Sequence, residues 1–174
     1  MNINEKPEMA EKQSCHWYLA FTASRAEQRV KQELDQRKVR NYLPLRKFTY
    51  QWQGRPKETL LPQITRCILI RASESDVLQL SGIQGLIIPQ NIWEYRIPEW
   101  QVNSYQLLFS HIDTAVEWIP DCPEPAPMVR VTGGSLNGLV GELDTSETEI
   151  RIIIRFHTMG CFRITIPGEW IERL

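Results

Sequence analysis

The sequence predicts an α+β chain in two parts: an N-terminal antiparallel sheet flanked by helices in a split βαβ order, and a small closed β-barrel behind a proline-rich linker. Three observations carry this expectation. Up to about residue 110 the apolar spacing alternates between strand and helix periods, in the order strand, helix, hairpin, helix, strand. Pro120, Pro123, Pro125 and Pro127 then crowd one stretch. Beyond them, five short apolar runs punctuated by glycine fill residues 128–174.

His16 to Phe21 reads as the first strand, with Trp17, Leu19 and Phe21 on one side. Ser24 with Glu27 three residues on has the spacing of a capping box, so a helix is expected next. Ala26, Val30 and Leu34 give it a narrow apolar stripe, and Arg25, Arg29, Gln32 and Gln36 gather on a polar face. Val39 to Gln53 reads as a long strand bent at Pro44, since proline lacks an amide proton and restrains its predecessor. Gln53-Gly54-Arg55-Pro56 is a turn signal, and Lys57 to Arg71 is the return strand, broken at Pro62. A short helix near Glu74 to Ser81, a strand near Leu86 to Ile88 and a helix near Glu99 to Phe109 complete this part.

The expected division is a polar tail at 1–14, a domain at 15–113, a linker at 114–127 and a second domain at 128–174. In the last of these, Val129-Arg130-Val131 alternates as a half-buried strand and Gly133-Gly134 opens a tight turn. Gly138 marks a bend where positive φ or close backbone approach is expected, and Gly141 lies in the next strand. Glu149 to Phe156, Cys161 to Ile166 and Trp170 to Arg173 supply the remaining strands.

Composition excludes several functions. With 42% hydrophobic and 24% charged residues, the chain reads as a globular protein. No apolar run approaches the length of a membrane helix, and the N-terminus lacks a signal core, so a cytoplasmic protein is expected. A net charge of −1 argues against a general nucleic-acid coat, which needs a basic excess to neutralise phosphates. Cys15, Cys67, Cys122 and Cys161 have no CxxC spacing and read as reduced structural thiols rather than disulfides or zinc ligands. His16, His111 and His157 are isolated, so no metal is expected. The glycines lack the Lys-Ser/Thr of a phosphate loop, and Glu147 and Glu149 read as solvated turn residues. No cofactor and no enzymatic constellation are expected. Trp52, Trp93, Trp100, Trp118 and Trp170 are scattered; they cover core edges or offer stacking surfaces for single strands, and Trp118 is placed to pin the linker to one domain.

The first part resembles the NGN domain of the NusG family, and the whole chain follows that family's NGN-linker-KOW layout. The resemblance begins at His16-Trp17-Tyr18 and continues at Tyr42-Leu43-Pro44. The family's Pro-Leu-Phe-Pro-Gly-Tyr-Val-Phe-Val hallmark falls on residues 62–70, where Pro62 and the closing strand Ile68-Leu69-Ile70 match. Thr65-Arg66-Cys67 replaces its Pro-Gly-Tyr centre, which marks a divergent paralogue. Arg130 to Gly134, with Gly138 and Gly141, resembles the KOW segment of UpxY-type specialised antiterminators of Bacteroidetes.

The resemblance implies an SH3-like C-terminal barrel and a monomeric, non-enzymatic elongation factor. Its NGN domain would bind the clamp of RNA polymerase and favour the processive state, promoting read-through of capsular or exopolysaccharide operons. It also implies an apolar polymerase-binding surface at Phe21, Ile64, Cys67 and Leu69; the competing reading is that these side chains fill the core. Contacts to the non-template DNA strand fall on Arg25, Arg29 and Gln36, with Gln84 and Gly85 in a neighbouring loop; a solvated helix face is the competing reading. Gly133, Gly134, Gly138 and Gly141 would shape the KOW turn. That domain would recruit the ribosomal protein NusE or the termination factor Rho. The alternative is an RNA- or ribosome-binding KOW protein without polymerase activity, for which the charge is poorly suited.

Overall fold

A computed structural model describes residues 14–111, 115–145 and 148–174. Most of the polar tail, the first residue of the expected linker and Glu147 lie outside the described residues.

The N-terminal sheet is built on β1 (His16–Thr22), which pairs antiparallel with β5 (Cys67–Ala72) along its length. β2 (Arg40–Tyr42) adds to the far side of β5, and the short β6 (Leu86–Ile87) and β7 (Arg96–Ile97) pair with β1. Alternation then sorts the side chains. Tyr18, Ala20, Ile68 and Ile70 face α1 (Glu27–Gln36) and α2 (Glu74–Gln79), together with Val30, Leu34 and Val77. Trp17, Leu19, Cys67 and Leu69 face the other way, toward α3 (Glu99–Ser110). Among the described residues no helix is long and apolar enough to cross a membrane.

The stripe Ala26, Val30 and Leu34 is buried as its spacing requires. The capping box is not formed, however. Ala26 holds the N-cap position without a side-chain cap, because Arg25 at φ 60° turns the chain between Ser24 and the helix. Glu27 is instead buried, and its carboxylate accepts the Arg66 amide at 2.7 Å, tying α1 to the turn before β5. For the same reason Arg25 stands just outside the helix rather than on its polar face.

The long bent strand is two strands, split at Leu43-Pro44. The second, β3 (Leu45–Trp52), pairs with β4 (Arg55–Pro62) to make a two-stranded sheet of its own among the described residues. Gln53 and Gly54 join them at φ 51° and 73°, the two positive φ values of a tight hairpin turn.

The C-terminal sheet has six antiparallel strands in the order β13-β9-β10-β11-β12-β8. These are β8 (Glu117–Ile119), β9 (Met128–Val131), β10 (Val140–Asp144), β11 (Arg151–Phe156), β12 (Gly160–Thr165) and β13 (Ile171–Arg173). β8 lies in the stretch read as linker, so that stretch is not wholly an open connection. Trp118 of β8 packs on Phe162 with ring centroids 4.8 Å apart. A methyl group added at Gly160 would come within 2.5 Å of the same indole, so the missing side chain lets β8 lie close. Gly138 takes φ of 93°, as its position suggested, and Gly134 takes φ of 68° in the turn. Gly133 and Gly134 lie under Trp170, where any Cβ would meet the ring within 2.8 Å.

The two sheets share one apolar interior. Leu19, Leu69, Val102, Tyr105 and Leu108 are continuous with Val129, Ile152, Phe156, Phe162 and Ile164. α3 is the common wall, and its sequence fits this position. Val102, Tyr105 and Leu108 recur at three-residue spacing with Ser104 beside them, so one broad side of the helix is buried while Glu99, Asn103 and Ser110 stay exposed on the other.

Candidate functional site

The residues Phe21, Ile64, Cys67 and Leu69 come together. Register places Phe21 opposite Cys67 and Leu19 opposite Leu69, so all point to the α3 side of the sheet. Ile64 closes the group from the preceding turn, where its carbonyl lies 3.9 Å from Cys67 Sγ. Burial pushes the Cys67 thiol up to about 12, far from any thiolate chemistry at neutral pH. Ile64, Cys67 and Leu69 are buried, whereas Phe21 is half-buried at the rim.

This apolar face is not open in the conformation described. Phe21 meets Tyr95 edge-on at 5.5 Å, and Tyr95 stacks on His157 of the C-terminal sheet at 4.9 Å. His157 Nε2 also lies 2.9 Å from the Glu94 carbonyl. Along α3, the Ser104 hydroxyl donates to the Val140 carbonyl at 3.1 Å and lies 3.3 Å from the Val140 amide. Gln101 donates to the Arg155 carbonyl at 2.5 Å, and the Tyr105 hydroxyl donates to the same oxygen. A rank of polar contacts therefore fixes the C-terminal sheet beside the anchor face. Sequence reasoning missed Tyr95, Ser104, Tyr105 and His157, for their pairing depends on a long-range docking with no local signal.

The polar candidates form a second group just past the same end of β1, on the side of the sheet that α1 covers. Arg29 Nη2 lies 3.4 Å from the Gln84 carbonyl, and the Ala23 amide donates to the Gly85 carbonyl at 2.8 Å. Gly85, at φ 91°, is pressed against α1: a Cβ there would lie 2.9 Å from Ala26 Cβ and 3.0 Å from Arg29 Nη2. Arg25, Arg29 and Gln84 are exposed on this edge. Gln36 is seven residues beyond Arg29, two turns or ~10 Å along the same stripe. Arg25 also lines a groove of about 530 Å³ with Arg46 and Arg66, where Glu27 is the acidic member. Nearby, Arg37 pairs with Glu33 at 2.8 Å and Lys31 with Asp35 at 3.2 Å, exposed pairs typical of a solvated helix face.

The β3-β4 hairpin carries a further exposed aromatic surface. Phe48, Tyr50 and Trp52 recur every second residue, so strand periodicity alone would have aligned them.

The family model described as "Transcription termination factor nusG" matches residues 15–106. Comparison with proteins of curated function finds no match. Among solved structures, "Domain interaction in Thermotoga maritima NusG" is 14% identical, covering 92% of this chain and 98% of that chain with a TM-score of 0.44. A chain of the MjSpt4:Spt5 complex in conformation B is 12% identical, covering 91% and 96% with a TM-score of 0.26. The family match spans more than half of the sequence and includes both candidate surfaces, and on that ground the chain belongs to the NusG family.

Proposed function

We propose that this protein is a transcription elongation and antitermination factor that binds the clamp of RNA polymerase through Phe21, Ile64, Cys67 and Leu69. NusG-family members are non-enzymatic transcription factors that bind RNA polymerase. The observation that carries the reading here is that Phe21, Cys67 and Leu69 share one sheet face and Ile64 packs with them from the adjoining turn, within the segment matched by the family model. An apolar cluster of this kind gains affinity by desolvation, with the half-buried Phe21 as the first ring a partner would meet.

The contacts of Tyr95, Ser104 and Tyr105 favour a resting conformation in which the C-terminal sheet adjoins this face. Polymerase engagement then competes with that docking. By linkage, the observed affinity equals the intrinsic affinity scaled by the undocked fraction. Arg25, Arg29, Gln36 and Gln84 are positioned to touch the exposed non-template strand once polymerase has delivered the protein. Few phosphates are neutralised by so small a set, so free duplex is bound negligibly at physiological salt.

The C-terminal domain, of KOW type by its glycine pattern at Gly133, Gly134, Gly138 and Gly141, is the candidate site for NusE or Rho. The UpxY-like pattern points to capsular or exopolysaccharide operons as the targets, in the cytoplasm. Transcription in vitro on such a leader, at matched polymerase occupancy, tests the reading. The protein should raise read-through, and Arg25→Ala with Arg29→Ala should reduce that gain while sparing polymerase retention. Equal read-through with and without the protein would defeat the proposal.

A further inference from the structure

We propose that one face of the β3-β4 hairpin is a binding site for single-stranded nucleic acid, distinct from the α1 edge considered above. Alternation along β3 puts Phe48, Tyr50 and Trp52 on this face, and the register sets Thr59, Lys57 and Arg55 opposite them. The rings are 43%, 37% and 54% exposed. Leaving three successive rings in water is unfavourable for a strand face with only structural duties, and such a stripe marks a contact surface. The planes of Phe48 and Tyr50 lie within 18° of each other, with centroids 6.3 Å apart. That separation is close to twice the ~3.4 Å advance per nucleotide in a stacked strand.

The charge on this face selects the partner. Arg46 lies at its base on the same side as the rings, Lys57 and Arg55 lie beside them, and no carboxylate shares the face. Lys57 Nζ is held 5.7 Å from the centre of the Trp52 ring. Glu58 lies on the opposite face, where it pairs with Lys47 at 3.7 Å. A protein of net charge −1 thus concentrates cations among its exposed rings. Rings for bases and cations for phosphates suit an unpaired strand, whereas a duplex keeps its base faces stacked inside. From Arg46 to Trp52 the strand advances ~20 Å, room for several nucleotides. At its base lies the arginine groove of Arg25, Arg46 and Arg66.

DNA and RNA strands share this chemistry, so the experiment uses both. Fluorescein-labelled dT12, rU12 and a 12-base-pair duplex are titrated with the full-length protein at 50 mM salt, followed by anisotropy. Both single strands, or one of them, should bind in a range on the order of 1–100 μM, tighter than the duplex, with the stronger arm naming the natural strand. The triple variant Phe48→Thr, Tyr50→Thr, Trp52→Thr retains β propensity and should bind at least about 30-fold more weakly, from losses of several-fold or more per ring. Trp52→Phe should restore most of the binding lost in Trp52→Thr. Arg55→Gln with Lys57→Gln should reduce the slope of log affinity on log salt by about 1.4, two charges at about 0.7 each. Equal binding by the parent and the triple Thr variant, or no strand binding by the parent up to 200 μM, overturns the proposal. Normal strand binding with loss of polymerase retention in the triple variant also overturns it, marking a protein-docking face. Intact retention with lost strand binding supports it, and leaves the anchor at Phe21 to stand or fall separately.

Discussion

Replacing His157 with Asn should loosen the C-terminal sheet from the anchor face without unfolding either. His157 sits at φ 50° in the turn between β11 and β12, a conformation that Asn tolerates better than most residues. The substitution removes the ring stacked on Tyr95 at 4.9 Å, worth ~0.5–1.5 kcal/mol for an aromatic pair. It also disrupts the contact with the Glu94 carbonyl at 2.9 Å, worth about 0.5–1.5 kcal/mol as a net hydrogen bond. Together these weaken docking by about 1–3 kcal/mol, roughly 5- to 150-fold in the docking equilibrium. The Val140 amide is the natural reporter, since it faces the Ser104 hydroxyl across the interface at 3.3 Å. Its hydrogen exchange, followed by NMR, should accelerate by that factor, while the Leu34 and Ile70 amides of the N-terminal core keep their rates. Unchanged exchange at Val140 would refute the reasoning that this contact holds the sheet in place.

Other consequences can be measured directly. Gly138→Val should destabilise the protein by about 1–3 kcal/mol, through backbone strain alone, because nothing lies within 4 Å of the new Cβ and φ is 93°. Since both sheets share one interior, calorimetry should show the main transition lowered as a whole; a loss confined to a separate C-terminal transition would show that the interior is not cooperative. At pH 8 a thiol reagent should label Cys15 quickly and spare Cys67 and Cys161, whose thiols burial pushes up to about 12. Rapid labelling of Cys67, mapped by peptide mass spectrometry, would mean that the anchor face is open in the free protein.

Much of this fold was legible in the chain, because local physics set it. The β1 alternation, the α1 stripe, the break at Pro44, the turn at Gly54 and the positive φ at Gly138 follow from side-chain period and backbone sterics. The failures have a common origin in long-range contacts. Ser24-Glu27 had the spacing of a cap, yet Glu27 was claimed by the Arg66 amide thirty-nine residues away. Glu117–Ile119 lay among linker-like prolines, yet β12 recruited it as an edge strand. The candidate site divides likewise. Strand parity suffices to bring Phe21, Cys67 and Leu69 to one face, while the cover over that face depends on Tyr95, Ser104 and His157, whose partners lie far along the sequence.

Retention by RNA polymerase tests the central claim most directly. The full-length protein, immobilised at equal loading beside Phe21→Ala and His157→Asn, is challenged with purified core polymerase from its own host, and bound enzyme is quantified. Phe21→Ala should retain at least about 30-fold less in affinity terms, as for an anchor worth ~2 kcal/mol or more. His157→Asn should retain more than the parent, because a larger share of molecules is undocked. Parent and Phe21→Ala retaining polymerase equally, or the parent retaining none while His157→Asn also retains none, would contradict the account.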